Sequence, residues 1–207
     1  MGFYETQVLP RFTDVALSGR EFTRIRQRVV AELEGHIVEI GFGSGRNVPL
    51  YPPTVTRARA VDPSTVGRKL AAKRVKASRV PIEYVGLDGQ DLPLDDGSVD
   101  HVLITWTLCT IPDPARALAE ARRVLRSGGT VNFVEHGLSP DARVARWQDR
   151  LTPIWKRIGG GCHLNRKIDD LLLNAGFTID ELRTTYLPGP RPMTYTYQGF
   201  AHARSGM

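Results

Sequence analysis

Short runs of branched apolar residues alternate with amphipathic stretches along most of this chain. "HIVEI" at 36–40, "ARAVD" at 58–62, "VPIEYVG" at 80–86, "DHVLIT" at 100–105 and "GTVNFVE" at 129–135 are brief and rich in Val and Ile, and read as strands. Residues 64–76 and 114–125 between them carry helical spacing, and a further helix is expected near 21–34, ahead of the first strand. Strands alternating with helices argue for a parallel sheet with crossover helices. The punctuation agrees. Asp113–Pro114 supplies an N-cap followed by proline at the first helical position, and "RSGG" at 126–129 closes that helix before the next strand. Ser139–Pro140 opens another helix in the same way, with Val144, Trp147 and Leu151 on one face. Thr152–Pro153 is expected to end it and to cap a second short helix carrying Trp155 and Ile158. Asn165 is the expected cap of a helix with the stripe Ile168, Leu171, Leu172 and Ala175, stopped by Gly176, and "MTYTYQGFAHA" alternates enough for a final strand.

Composition narrows this little. At 207 residues of ordinary make-up, a single domain over 1–207 is expected, with no repeat or linker. The net charge of +6 is mostly arginine spread over several stretches, as solvated helix faces would be. Neither zinc-finger spacing nor an aromatic RNA-binding signature accompanies it, so specific nucleic-acid binding is not expected, while attraction to an anionic surface or substrate stays open. No apolar stretch is long enough to span a bilayer and "MGFYETQVLPRF" lacks a signal-peptide core, so a cytoplasmic protein is expected. Cys109 and Cys162 are then expected as reduced thiols.

The chemistry starts at "IVEIGFGSGRN", residues 37–47. A glycine-rich turn between strand and helix lets backbone amides approach a ligand at the carboxyl edge of the sheet. A dinucleotide fingerprint would need glycine where Arg46 stands, since Gly41, Gly43 and Gly45 are spaced G-x-G-x-G, and no P-loop Lys–Ser/Thr follows. Glu39, two residues before the first glycine, would repel a pyrophosphate but suits an ammonium group. Asp62 ends the second strand, where an acid accepts from ribose hydroxyls. In "GLDGQDLP", Asp88 can accept from an adenine amino group while the Gly89 and Gln90 amides meet the ring.

"VEIGFGSGRN", "AVDPS", "GLDGQDLPLDDGSVDHVL" and "EARRVLRSGGTVNFVEH" stand in the order and spacing of blocks in the class I S-adenosylmethionine-dependent methyltransferases, which the chain resembles over much of residues 38–136. The resemblance implies an α/β, Rossmann-like fold: a seven-stranded, mostly parallel sheet with an antiparallel last strand and helices on both faces. It implies S-adenosylmethionine as cofactor, with Glu39, Gly41, Gly43 and Gly45 around the methionine part, Asp62 on the ribose, Asp88, Gly89 and Gln90 around the adenine, and Thr105 bordering the methyl donor. Residues 1–35 become an N-terminal helical segment, 36–136 the cofactor-binding core and 137–207 the acceptor side. "YPP", "DGSVD", "TLCT" and "VEH" are similar to the methyltransferase-like proteins that S-methylate small lipophilic thiols, and "GGCHLNR" lies near a related segment of theirs. The central blocks also resemble the quinone-ring C-methyltransferases.

A sulfonium is already an activated donor, so an in-line displacement needs mainly a correctly held lone pair. For a thiol or phenol a base helps, and His136, emerging after the fifth strand, is the first candidate, with Glu135 to orient it or hold an acceptor group. His163 in "GGGCHLN", beyond a glycine hinge, is the second. Cys109 is expected to line pocket or core, and no metal site is expected. Acceptor recognition falls to the helices of 140–158, whose Trp147, Leu151 and Trp155 among arginines suit a lid over an apolar pocket or peripheral membrane contact. The partner expected is a small-molecule acceptor, with no obligate protein partner. Two other classes remain: a nucleotide-dependent oxidoreductase, disfavoured by Arg46 and Glu39, and a non-catalytic cofactor-binding protein.

Overall fold

The computed structural model describes residues 2–204. A π-helical turn, Tyr4–Val8, runs into α1 (Leu9–Ala16), followed by α2 (Arg20–Val30), β1 (Gly35–Ile40), β2 (Val55–Val61), α3 (Thr65–Lys76) and β3 (Ile82–Gly86). Then come β4 (Val99–Thr105), α4 (Pro114–Val124), β5 (Leu125–His136), α5 (Ala142–Ile158), α6 (Ile168–Asn174), β6 (Phe177–Tyr186) and β7 (Tyr195–Ala203). The seven strands lie in the order β3-β2-β1-β4-β5-β7-β6. β1 to β5 pair parallel, and β7 runs antiparallel between β5 and β6. Because β1 and β4 are central and sandwiched, their side chains alternate between two apolar layers, and Ile37 to Ile40 and Val102 to Thr105 are all buried. Ile37, Ala58 and Leu103 meet Ile25, Val29 and Leu33 of the α2 side. Val38, Val102 and Val131 meet Leu118 and Ala121 of α4 and Leu172 of α6 on the other.

Several local expectations are corrected. Helix α5 does not stop at Thr152–Pro153 but runs on to Ile158 with Pro153 inside it. Both Pro153 and Asp149, whose carbonyl the proline leaves without a donor, are exposed, so water can take the freed group, and Thr152 Oγ1 bonds back to Gln148 O at 2.7 Å. Its N-cap is Asp141, whose Oδ1 accepts from Arg143 N at 2.9 Å, while Ser139 Oγ instead accepts from Asp141 N at 3.0 Å. Asn165 does not cap α6; it donates to Asp149 Oδ1 at 2.8 Å. "RSGG" lies within β5 rather than closing α4, whose last carbonyls accept from Gly97 N and Ser98 N at 3.0 and 2.8 Å. Strand β6 and helix α1 were not read from the sequence pattern. Among the described residues, no helix is long and apolar enough to cross a membrane.

Candidate functional site

Parallel strands send their C-terminal loops to one edge, and there the loops after β1 to β5 surround a cavity of about 850 Å³. The first wall is the glycine loop. Gly41 sits at φ +78°, and a Cβ there would stand 1.8 Å from Thr107 Oγ1 on the loop after β4, so only glycine lets the two loops touch. Gly43 N and Ser64 N both donate to Asp62, each at 2.7 Å, and this carboxylate ties the loops after β1 and β2 together at the cavity wall. Burial raises its pKa against those two bonds.

Glu39 is 1 % exposed and both its oxygens are engaged: Asn47 Nδ2 donates to Oε1 at 2.9 Å and the Tyr51 hydroxyl donates to Oε2. Arg26 of α2 completes the cluster, donating to Asn47 Oδ1 at 2.9 Å and to Thr105 Oγ1 at 3.1 Å. Burial pushes Glu39 up to about 7 in spite of the two hydrogen bonds and the Arg26 charge, and pulls Arg26 down to about 10. Thr105 thus stands at the cavity as an acceptor for both Arg26 and Asn47, the latter at 3.1 Å. None of Arg26, Asn47 and Tyr51 was given a role from sequence. Arg26 left a signal: it falls four residues after Phe22 and three before Val29, on the apolar stripe of its helix, where an arginine requires buried partners.

At the opposite end of the loop set, Asp88 is an exposed carboxylate on the cavity rim, accepting from Gln90 N and Gln90 Nε2, each at 2.9 Å, which lowers its pKa. Gly89 is buried against Ile40, where a Cβ would approach Cγ2 to 2.3 Å. The Gln90 side chain is turned away from the cavity lining and accepts from Asp113 N at 2.8 Å, so it braces Asp88 and the start of α4.

The fourth wall comes from β5 and its neighbours. Glu135 is fully buried and accepts from Thr107 N, Leu108 N and Cys109 N at 2.7, 3.0 and 3.1 Å. The left-handed turn at Trp106, φ +53°, aims those donors at one carboxylate. Glu135 therefore anchors the loop after β4, and the expectation that it orients His136 or holds an acceptor is corrected; burial pushes it up to about 7. His136 lines the cavity at 7 % exposure, with Nδ1 3.7 Å from Cys162 Sγ and a buried Nε2 that has no partner among the described residues. His163 does not line it. Its N and Nδ1 both face Cys109 O, at 2.7 and 3.3 Å, so the backbone turn sends Cys162 rather than His163 inward. Arg166 fastens the same region by donating to Leu108 O and, at 2.7 Å, to Ile111 O.

Over this opening lies the N-terminal helical segment. Asp14 of α1 forms an ion pair with Arg46, Nε to Oδ1 2.7 Å, and accepts from Ser44 Oγ, which fastens α1 to the glycine loop. Tyr4 donates to Ile158 O at 2.8 Å, which fastens the preceding turn to the end of α5. Arg46, which breaks the dinucleotide fingerprint, is thus the anchor of a cover. The chamber meets a simple test of fit for a nucleoside bearing an amino acid: carboxylates stand at or after the ends of three separate strands, and the space continues past Thr105 to His136.

Comparison with known proteins agrees with that geometry. The family profile described as a methyltransferase domain matches residues 38–133. A human protein named thiol S-methyltransferase TMT1B is 36% identical over 174 residues, which cover 82% of this chain and 70% of its own. Demethylmenaquinone methyltransferase of Clavibacter sepedonicus is 32% identical, over 59% of this chain and 50% of its own. Among solved structures, a SAM-dependent methyltransferase of Thermotoga maritima superposes with a TM-score of 0.63 at 25% identity, covering 95% of this chain and 98% of that one.

Proposed function

The chain belongs to the family of class I S-adenosylmethionine-dependent methyltransferases, and from that premise we propose that it methylates a thiol, phenol or quinol on a small lipophilic molecule. The observation that carries this reading is one chamber with two chemically different ends. One end has the carboxylates of Glu39, Asp62 and Asp88 around the glycine loop. The other ends at His136 with Trp155, Cys162 and the apolar inner side of α1. The names of the human and Clavibacter relatives put thiols and quinols first among acceptors to test.

When bound, S-adenosylmethionine supplies a methyl group already activated on a sulfonium. The remaining work falls to the chain. Glu39 offers its charge to the ammonium, held in place by Asn47 and Tyr51, and the backbone of Gly41, Gly43 and Gly45 closes around the same end. Asp62 accepts from the ribose hydroxyls, while Asp88 and Gly89 meet the adenine edge, with Gln90 bracing Asp88. Thr105 borders the methyl end. His136 Nε2 takes the acceptor's proton: with Nδ1–H directed at the Cys162 sulfur, Nε2 keeps a lone pair that no other group engages among the described residues. The N-terminal cover excludes water once the ligands are in. His163 positions Cys162 through its bonds to Cys109 O and is not a base in this scheme.

Acceptors of this kind partition into membranes, and the outer surface suits that source. On α5 the exposed Trp147, Ile154 and Ile158 lie beside Arg146, Arg150 and Arg157, and Phe3, Phe12 and Val15 expose apolar surface on the cover. Peripheral contact with an anionic membrane follows as part of the proposal. The direct experiment is a screen with methyl-labelled cofactor over thiols, phenols, quinols and amines, repeated with His136→Ala. Transfer to one of the first three classes, with kcat down about 10²-fold or more in the variant, is expected. Transfer confined to amines, or undiminished in the variant, refutes the acceptor and base assignments.

A further inference from the structure

Two cysteines meet at the acceptor end of the chamber. Cys109 follows β4 and Cys162 follows the glycine run at 159–161, and the backbone bond from His163 N to Cys109 O, 2.7 Å, holds their loops side by side. Both are free and both line the cavity, and Cys109 Sγ stands 3.5 Å from Thr110 Oγ1. On its other side Cys162 Sγ stands 3.7 Å from His136 Nδ1. The surroundings of the two thiols differ. Cys162 has the neighbouring Cys109 and His136 to steady a thiolate, which hold it below the usual thiol range, whereas its neighbour Cys162, burial and the nearby Glu135 push Cys109 above it.

We propose that Cys162 and Cys109 form a peroxide-responsive dithiol in the wall of the acceptor chamber, and that their disulfide switches methyl transfer off. Cys162 is the attacking sulfur: its thiolate displaces hydroxide from hydrogen peroxide, giving a sulfenic acid. Cys109 is the resolving sulfur: its thiol attacks the sulfenic sulfur, the disulfide forms and water leaves. In total, two thiols and one hydrogen peroxide give one disulfide and two waters. Little motion is needed, because the His163 N–Cys109 O bond already holds the two loops side by side and the left-handed glycines Gly160 and Gly161, φ +63° and +93°, give the loop carrying Cys162 freedom to adjust. The consequence runs through His136. Once Cys162 is bonded to Cys109 it no longer offers a thiolate to Nδ1–H, so the tautomer that leaves Nε2 free to take a proton loses its partner.

The test treats the reduced full-length protein with a small molar excess of hydrogen peroxide and maps its cysteines by mass spectrometry. A Cys109–Cys162 cross-linked peptide is expected, reversed by dithiothreitol. In Cys109→Ser, dimedone should trap Cys162 as the sulfenic acid, and in Cys162→Ser neither product should form. Absence of the cross-link in the wild type, or dimedone labelling at Cys109 in place of Cys162, overturns the proposal. These readouts need no acceptor, so they stand apart from the acceptor assignment. With a working acceptor, peroxide should lower wild-type turnover by about tenfold or more, restored by dithiothreitol, as expected for the loss of an acid–base contribution. Equal, irreversible losses in wild type and Cys162→Ser would place the damage elsewhere and overturn the switch.

Discussion

Replacing Glu39 by glutamine should make the cofactor-free protein more stable and the cofactor complex weaker. The folded protein holds this carboxyl's pKa at about 7 against 4.5 for a free one, even with Asn47, Tyr51 and Arg26 acting on it. At ~1.4 kcal/mol per pH unit, that difference corresponds to about 3 kcal/mol by which burial disfavours the ionised form. The sign follows from proton counting. Between pH 4.5 and about 7 the folded state keeps a proton that the unfolded chain has released, so rising pH favours unfolding across that window and has no further effect above it. Glutamine fits the same contacts, its oxygen accepting from Asn47 Nδ2 and its amide donating to the Tyr51 oxygen, without the ionisation. At pH 8 the Glu39→Gln protein should therefore melt roughly 6–12 °C above wild type, at ~2–4 °C per kcal/mol for a chain of this size, and the gap should close near pH 4.5. Glu135 titrates in both proteins and cancels from the comparison. Calorimetric titration with S-adenosylhomocysteine at pH 8 should show Kd raised about 10- to 100-fold, the value of a charge-assisted hydrogen bond to the ammonium. A variant that melts below wild type at pH 8, or that binds equally well, refutes the reasoning.

Three other outcomes follow from the same geometry. Asp62→Ala should weaken cofactor binding about 10- to 100-fold by calorimetry, by removing the ribose acceptor and freeing Gly43 N and Ser64 N; unchanged binding refutes its assignment. Gly41→Ala forces a Cβ onto Thr107 Oγ1 at a left-handed φ, and should cost roughly 2–5 kcal/mol in thermal unfolding, whereas a melting temperature within a degree of wild type would contradict the close approach of the two loops. Sedimentation with vesicles containing phosphatidylserine should capture the protein in a salt-sensitive way and lose it in the Trp147→Ser/Ile154→Ser double variant; equal capture by neutral vesicles argues against the basic face as the contact.

The placement of the glycine loop and its acids was legible because it is local. Gly41, Gly43 and Gly45 with Glu39, and Asp62 at the end of β2, follow from one rule: parallel strands deliver the residues at their carboxyl ends to a common edge. Strand alternation likewise placed His136 at that edge. The rest depended on partners far apart in sequence. Arg26 was visible only as a charge on an apolar stripe, and its acceptors on Asn47 and Thr105 exist because α2 packs across β1 and β4. Glu135 reads as a companion of His136 until folding brings the N–H groups of 107–109 onto it. Pro153 reads as a stop, yet an exposed helix face tolerates it.

By itself, then, the sequence determined the order of strands and helices from α2 to β5, the glycine turn, and the acids set along the carboxyl edge, because period, punctuation and nearest neighbours act within a few residues. Only the tertiary structure decided that Cys162 and not His163 faces the chamber, that Arg46 clasps α1 over it, and that Cys109 and Cys162 line the same wall. Those contacts join segments up to dozens of residues apart, and they exist only once buried polar groups have found partners across the sheet edge.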